Sequence, residues 1–231
     1  MTNNEIKMVR SLGQKKFRDS LGLFTVEGEK MLKEAQSSGL EIEAVYRRDE
    51  IGEDTMSRIS SLSSPSPVLA VVRKPAPVAV GKPFKGLYLA LDSVRDPGNL
   101  GTIVRIADWF GVKAVFASPD TAELYNPKVL QASMGSAFRV PVVYGPLDRL
   151  VREFKSEGHD VIGTFLDGKD IYGMSAPDTA LVVMGNESVG ISAALSELID
   201  TRVTIPSSGS RADSLNVAVA TAVTVALLRK S

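Results

Sequence analysis

Apolar and polar positions change their rhythm about one third of the way along the chain. In the first third, short amphipathic stretches predict a helix over "NNEIKMVRSLG", a strand at "LFTVEG", a helix over "GEKMLKEAQSSG" and a strand at "IEAVYRRD". An apolar run, "VLAVV", follows Pro67 and is typical of a further strand. This order predicts a small N-terminal α/β domain.

The remainder of the chain alternates continuous apolar runs with helical patterns. The predicted strands are "GLYLALD", "KAVFAS", "VPVVYG", "DVIGTFLD", "TALVVMG" and "RVTIP", and the last helix begins near Ser214. Strands that are apolar on both sides need helices on both faces, so the fold class is α/β with a mostly parallel sheet covered by helices. A proline-rich stretch, "KPAPVAVGKPFK", divides the chain into residues 1–75, a linker at 76–84 and residues 85–231.

Composition excludes several classes of function. The hydrophobic fraction of 44% allows a sizeable core, and a net charge of zero gives no global field that would attract nucleic acid or a membrane. The absence of cysteine excludes disulfides, thiolate zinc sites and cysteine nucleophiles, and a single histidine, His159, excludes a multi-histidine metal site. The polar N-terminus lacks a signal-peptide core, so we expect a cytoplasmic protein with no membrane segment and no metal.

The first loop with candidate chemistry is "DSVRDPGNLGTIVR", at the end of a predicted strand. Ligands of parallel sheets bind at the carboxyl ends of strands. Asn99 is a candidate helix N-cap, and Gly101 leaves space near the backbone for a ligand. Arg105 is a cation within an apolar helix. Its structural alternatives are an ion pair with Asp108 or stacking on Trp109.

The second loop, "VVMGNESVGIS", follows another buried strand. The spacing of Gly185 and Gly190 is similar to that of a nucleotide triphosphate loop, but no Lys-Ser or Lys-Thr pair follows, which excludes that class. Asn186 and Glu187 are the polar candidates. The alternative is a plain turn in which Glu187 lies at a helix N-terminus, where a carboxylate is favoured.

The third loop, "IPSSGSRADSLNVAVATAV", follows the strand that ends near Ile205. Asp213 or Ser214 can cap a helix that is apolar nearly all round, and such a helix is buried in the core or in a subunit interface. Asn216 lies within its first turn, where a lone buried amide is usually structural.

Together the three stretches resemble the SpoU/TrmH family of RNA ribose 2′-O-methyltransferases, in the SPOUT superfamily. "NLGTIVRIADWFG" is similar to its first motif, "VVMGNESVGIS" to its second and "IPSSGSRADSLNVAVATAV" to its third, so the resemblance covers Phe84 to Leu228. Ser207 stands where the family often has methionine. The resemblance implies a C-terminal trefoil knot, a homodimer and, over "VRSLGQKKFRDSLGLFTVEGEKMLKEA", an N-terminal RNA-binding domain.

The activity that the resemblance implies is methyl transfer from S-adenosylmethionine (AdoMet) to a ribose 2′-hydroxyl. The implied catalytic residues are Arg105, Asn99, Glu187, Ser214 and Asn216. The implied cofactor-binding residues are Gly185, Asn186, Ile205, Ser214 and Leu215. The family is described with Arg105 as a base, whereas arginine chemistry favours a bidentate phosphate clamp, and both roles stay open.

RNA contact predicts a basic surface, and the N-terminal segment carries one. The candidate RNA contacts are Lys7, Arg10, Lys15, Lys16 and Arg18, which have no acid between them, together with Arg105. Arg47, Arg48 and Arg211 extend this set. The alternative is a solvated helix face. The resemblance implies ribosomal RNA as the favoured substrate. The alternatives are a methyltransferase of transfer RNA or a non-catalytic RNA-binding protein. A dehydrogenase would need a glycine fingerprint that the sequence lacks.

Overall fold

The N-terminal part of the chain is a three-stranded antiparallel sheet with helices around it. The structure is a computed structural model that describes residues 1–209 and 213–229. Its first elements are α1 (Asn3–Ser11), α2 (Lys15–Leu21), β1 (Leu23–Glu27), α3 (Glu29–Ser37), β2 (Ile42–Arg47), α4 (Arg48–Ile51), α5 (Glu53–Ile59) and β3 (Val68–Arg73). The strand order is β1-β3-β2. Helices α2, α4 and α5 were not predicted because each spans two turns or fewer, too short for a clear helical period.

The C-terminal part is a six-stranded parallel sheet, as the sequence predicts. Its elements are β4 (Gly86–Leu91), α6 (Pro97–Phe110), β5 (Val115–Ala117), α7 (Pro127–Ser133), β6 (Val142–Tyr144), α8 (Leu147–Ser156), β7 (Asp160–Asp170), β8 (Thr179–Met184), α9 (Ala193–Ser196), β9 (Thr201–Thr204) and α10 (Val217–Leu228). The strand order is β6-β5-β4-β8-β7-β9, and every pair is parallel. The α/β prediction with a mostly parallel sheet is therefore confirmed.

Helices cover both faces of this sheet, because successive side chains of a strand point to opposite sides. Leu89 and Leu91 of β4 pack with helices α6, α7 and α10 on one face. Tyr88 and Ala90 pack with α8 and α9 on the other. The strand ends therefore lie between two layers of helix, and the loops that follow β4, β8 and β9 meet at one edge.

The N-terminal part packs against the first of these faces. Phe24 of β1 is fully buried, and its ring centroid lies 4.7 Å from that of Tyr125 and 6.2 Å from that of Phe138. Val26 belongs to the same apolar cluster as Leu130 of α7. One continuous core therefore joins the small sheet to the large one and fixes their relative position.

Two features of the last strands and helix differ from the prediction. Helix α10 begins at Val217 and not near Ser214, because the side chain of Asn216 is its N-cap. Strand β7 continues to Asp170, and its register against β9 shifts between Thr164 and Lys169. The implied trefoil knot stays a prediction. No helix of the described ranges is long and apolar enough to cross a membrane.

Candidate active site

A chain of side-chain hydrogen bonds joins the three loops that the sequence singles out. Asn99 donates from Nδ2 to Oε1 of Glu187 at 2.8 Å. Asn216 donates from Nδ2 to Oδ1 of Asn99 at 2.9 Å. The Oδ1 atom of Asn216 also accepts from the backbone of Ala218 at 2.9 Å, so capping α10 fixes its orientation. Asn99 lies 88 positions from Glu187 and 117 positions from Asn216 in the sequence, yet the three side chains form one polar unit.

The start of α6 leaves Asn99 free for this role. The N-cap of α6 is Asp96, whose Oδ1 accepts from the backbone N–H of Asn99 at 2.8 Å, and Pro97 occupies the first turn. The prediction that Asn99 is the N-cap is therefore wrong. Because Asp96 satisfies the helix terminus, the amide of Asn99 points to Glu187 instead.

The loop after β8 is closed on itself at Asn186 and Gly190. Each of these residues donates its backbone N–H to the other's carbonyl oxygen at 3.0 Å. A Cβ on Gly185 would lie 2.2 Å from the carbonyl carbon of Gly190, so only glycine fits there. Glu187 lies within this closed loop and α9 begins only at Ala193, so the alternative of a plain turn with Glu187 at a helix N-terminus is wrong.

Two residues directly after β4, neither of them predicted as a site residue, hold this loop. Asp92 is buried, and its Oδ2 accepts from the backbone N–H of Ser192 at 2.7 Å. The carbonyl oxygen of Ser93 accepts from Nδ2 of Asn186 at 2.8 Å, and Ser93 has a left-handed φ of 60°. Hydrogen bonds from Ser93 and Ser118 keep the pKa of Asp120 well below its usual range. The sequence feature that could have identified Asp92 and Ser93 is their position, as two polar residues directly after a buried strand.

The second and third loops line a cleft of about 490 Å³, and the first loop joins them through the hydrogen bond from Asn99 to Glu187. Six predicted site residues line it: Gly185, Asn186, Glu187, Ile205, Ser214 and Leu215. The segment from Thr164 to Leu166 also lines it and was not predicted. Its sequence continues a strand pattern, but in the structure it lies at the register shift of β7 against β9. Asn99, Arg105 and Asn216 are not among the described residues that line the cleft.

Arg105 lies on the exposed face of α6, between Thr102 and Trp109. It makes no hydrogen bond or ion pair with any residue that the structure describes. Asp108 pairs with Arg139 instead, at 2.8 Å, and Trp109 is 81% exposed with no cation over its ring in the described ranges. Both structural alternatives for Arg105 are therefore wrong.

Gly101 does not leave space for a ligand. A Cβ at this position would lie 2.5 Å from the carbonyl oxygen of Val129 and 2.6 Å from the Cβ of Ala132. Both belong to α7, so Gly101 allows α6 and α7 to pack closely. The predicted role of Gly101 near a ligand is wrong.

Three of the five N-terminal cations, Lys7, Arg10 and Lys16, are exposed and form no ion pair with any described residue, and their RNA contact stays a prediction. Lys15 is exposed as well, but its Nζ lies 2.6 Å from Oδ2 of Asp19. Hydrogen bonds from Lys15 and then Lys74 lower the pKa of Asp19 to about 2, so this carboxylate is ionised at neutral pH.

Arg18, the fifth of these cations, is only 2% exposed and does not belong to a basic surface. Its Nη2 lies 2.5 Å from Oε2 of Glu123, and its Nη1 donates to the carbonyl oxygen of Leu12 at 2.8 Å. A phosphate cannot reach this guanidinium, so its prediction as an RNA contact is wrong. The additional candidates Arg47 and Arg48 pair with acids on the surface, and Arg211 lies outside the described residues.

Family models match both parts of the chain. The model of the SpoU rRNA Methylase family matches residues 86–226, and that of the MRM3-like substrate binding domain matches residues 3–73. The chain belongs to the SpoU rRNA Methylase family. A relative from Bacillus subtilis (strain 168), named 23S rRNA (guanosine(2553)-2′-O)-methyltransferase RlmP, is 34% identical over 244 residues, which cover 98% of this chain and 96% of the relative.

Solved structures of SpoU-type proteins share the whole fold. A TrmH-family protein from Porphyromonas gingivalis has a TM-score of 0.89 and 35% identity, with 99% of this chain and 98% of that chain covered. An AdoMet-bound rRNA methyltransferase from Sinorhizobium meliloti has a TM-score of 0.87 and 31% identity, with 99% and 95% covered. The resemblance to the SpoU/TrmH family is therefore confirmed.

Proposed function

We propose that this chain transfers a methyl group from AdoMet to a ribose 2′-hydroxyl of ribosomal RNA. The observation that carries the proposal is the hydrogen-bonded unit of Asn99, Glu187 and Asn216 at the edge of the cleft. It joins the three stretches by which the chain resembles the family. The names of RlmP and of the AdoMet-bound structure support the same reaction and the same substrate class.

The residues of the cleft fit AdoMet. Its volume of about 490 Å³ lies within the range of roughly 300–1,000 Å³ that is usual for small-molecule sites. Apolar side chains such as Leu166, Ile205 and Leu215 offer surface for the adenine ring, and the loop closed by Asn186 and Gly190 offers backbone groups. When bound, AdoMet supplies a methyl group that is already activated by its sulfonium.

The protein's own part of the reaction is then to orient the RNA and exclude water. Asn99 and Asn186 both donate to the carboxylate of Glu187, which fixes this negative group beside the site of a cationic cofactor. Arg105 is a free, fork-shaped cation on the same helix as Asn99, so it can bind a phosphate of the target nucleotide bidentately. Ser214 adds a hydroxyl at the cleft.

Calorimetry and a methylation assay test this function. Titration with AdoMet is expected to show one site per chain, whereas a nicotinamide dinucleotide is expected to show none. RNA from a strain that lacks the gene should gain one 2′-O-methyl group in the ribosomal fraction, located by mass spectrometry. Methylation of transfer RNA alone would contradict the substrate assignment, and AdoMet binding without methylation of any RNA would favour the non-catalytic alternative.

We further propose that two copies of the chain form a homodimer. Trp109 of α6 is 81% exposed and Val219 of α10 is 50% exposed, which leaves an apolar surface of two neighbouring helices uncovered in one copy. Arg105 also lies on the exposed face of α6 and does not line the cleft of its own chain. Sedimentation equilibrium is expected to give twice the chain mass, and a monomer at micromolar concentration would contradict the dimer.

We assign residues 1–75 to substrate binding, 76–84 to a linker and 85–231 to methyl transfer, in agreement with the ranges of the two matching family models. In this division Lys7, Arg10 and Lys16 are exposed cations of the RNA-binding unit. Lys15 is a weaker candidate, since its charge is partly neutralised by Asp19.

Charge reversal at Lys7 and Lys16 is expected to weaken RNA binding and to make it less dependent on salt. Each lost phosphate contact lowers the slope of log K against log salt by about one. The double variant should therefore have a slope smaller by about two, and about tenfold lower RNA affinity, with AdoMet affinity unchanged.

Filter binding between 50 and 300 mM salt measures this slope. Lys113→Glu is the matched control, because Lys113 is exposed but precedes β5 and so lies at the opposite edge of the sheet from the cleft. Equal salt slopes for wild type and the Lys7/Lys16 variant would contradict the predicted RNA surface.

A further inference from the structure

The sequence places one carboxylate within a helical turn of Arg105. Asp108 is three positions further along α6, a spacing at which an arginine and an aspartate can pair on a helix surface. A paired Arg105 would have to give up this partner before it could bind a phosphate. In the structure Arg105 and Asp108 do not pair, because another group binds Asp108.

That group is Arg139, which directly follows the 3₁₀ turn Ser136–Phe138. Its Nε and Nη2 both donate to Oδ2 of Asp108, at 3.0 and 2.8 Å. Burial alone would raise the pKa of Asp108, but hydrogen bonds from Arg139 and Ser136 outweigh it and lower the pKa. Asp108 therefore carries a full negative charge, and Arg139 neutralises it.

The remaining nitrogen of the Arg139 guanidinium, Nη1, binds a second acid. It donates to Oε2 of Glu34 on α3. Glu34 in turn packs over Gly135, where a Cβ would lie 2.6 Å from the Cγ of Glu34. Arg139 is thus held between the N-terminal part and α6, and it cannot leave Asp108 without losing both acids.

We propose that Arg139 is a positioning residue for methyl transfer: it binds Asp108 so that Arg105, one turn away, stays available to the RNA. The proposal rests on the proposed function, in which Arg105 contacts the substrate. In the absence of Arg139, Asp108 would both pair with Arg105 and repel the phosphate that Arg105 binds. Arg139 itself touches neither cofactor nor substrate.

Arg139→Gln is expected to slow single-turnover methylation about three- to fivefold, because an exposed pair at this spacing contributes roughly a factor of two and phosphate repulsion adds to it. RNA affinity should fall by a similar factor, and AdoMet affinity should stay the same. Adding Asp108→Asn to Arg139→Gln should restore the methylation rate and the RNA affinity to within about 1.5-fold of wild type. Glu34→Gln, which removes the other acid and leaves Asp108 bound, is the matched control and should change neither value.

A double-mutant cycle with Arg105 separates positioning from general stability. In an Arg105→Ala background, Arg139→Gln should slow the reaction less than it does in the wild-type background, since no cation remains for Asp108 to capture. An equal slowing in both backgrounds would overturn the proposal, as would a wild-type rate for Arg139→Gln. If Arg139→Gln does not fold, Arg139→Lys, with and without Asp108→Asn, gives the same comparison with a smaller loss.

The RNA-binding measurements distinguish failure of the proposed function from failure of the proposed role of Arg139. An inactive wild-type protein would contradict the proposed function. The pattern of RNA affinities among Arg139→Gln, its Asp108→Asn partner and Glu34→Gln would still decide whether Arg139 keeps Arg105 available.

Discussion

Replacement of Arg105 with alanine is expected to slow methyl transfer about 100-fold or more, the usual cost of removing one preorganised donor from a transition state. The physical reason is that Arg105 is the free cation of α6, with no partner among the described residues that would have to be displaced. AdoMet affinity is expected to stay within about twofold, because Arg105 does not line the cleft. Single-turnover rates at saturating AdoMet and RNA measure the effect.

Arg105→Lys distinguishes a phosphate clamp from a base. A lysine keeps the charge but loses the planar fork, so a clamp predicts a rate about tenfold lower at every pH. A base acts in its deprotonated form, and free lysine titrates roughly two units below free arginine. That mechanism therefore predicts a pH–rate profile shifted to lower pH, with a smaller loss or a gain near pH 9. We expect parallel profiles.

Arg149→Ala is the control for loss of a surface arginine. Arg149 is exposed on α8, which packs on the opposite face of the sheet from α6. Its replacement is expected to leave rate and RNA affinity unchanged. An Arg105→Ala protein that kept the wild-type rate to within threefold would exclude both roles for Arg105.

The sequence predicts those parts of the fold that depend on local pattern. Continuous apolar strands such as "ALVVM" need cover on both faces, which is sufficient to predict the parallel sheet and the edge at which its loops meet. The polar residues of these loops then become candidates for one site, and Asn99, Glu187 and Asn216 do form one hydrogen-bonded unit. Six predicted residues line the cleft for the same reason.

The wrong predictions concern partners that are distant in sequence. Arg18 has an ordinary surface pattern around it, yet its partner Glu123 is 105 positions away. Gly101 is small because α7 packs on it, which no feature of α6 reveals. Arg139 binds Asp108, which is 31 positions away in the sequence, so this acid does not pair with Arg105. Periodicity reports only which face of an element is apolar, not what the other face meets.

Part of the lining of the cleft could not be predicted, because it lies where the pairing of β7 with β9 is irregular. Thr164 and Leu166 line the cleft at the point where β7 loses its register against β9. The residues "DVIGTFLDGKD" have the composition of one long strand. In the structure Thr164 and Lys169 both pair with Val203 of β9, so the residues between them leave the ladder as a bulge.

Replacement of Gly185 with alanine is expected to lower AdoMet affinity about 30-fold, which corresponds to a loss of roughly 2 kcal/mol, a typical cost of overpacking. The added Cβ would lie 2.2 Å from the carbonyl carbon of Gly190 and 2.3 Å from the nitrogen of Ile191. Both are backbone atoms, so the clash cannot be relieved by a side-chain rotation. The loop would have to open the paired hydrogen bonds between Asn186 and Gly190, and with them the wall of the cleft. Calorimetry with AdoMet measures the loss directly.

Gly145→Ala is the matched control, because Gly145 also directly follows a parallel strand, β6, and a Cβ there meets no atom within 4 Å. It should bind AdoMet as wild type does. Gly190→Ala separates crowding from backbone strain: its Cβ is also free of contacts, but its φ of 71° is unfavourable for alanine by about 1–2 kcal/mol. Its affinity should therefore lie between those of Gly145→Ala and Gly185→Ala. If Gly185→Ala bound AdoMet as tightly as Gly145→Ala, the closed loop would not be part of the cofactor site, and the cleft would have to bind AdoMet through Leu166, Ile205 and Leu215 alone.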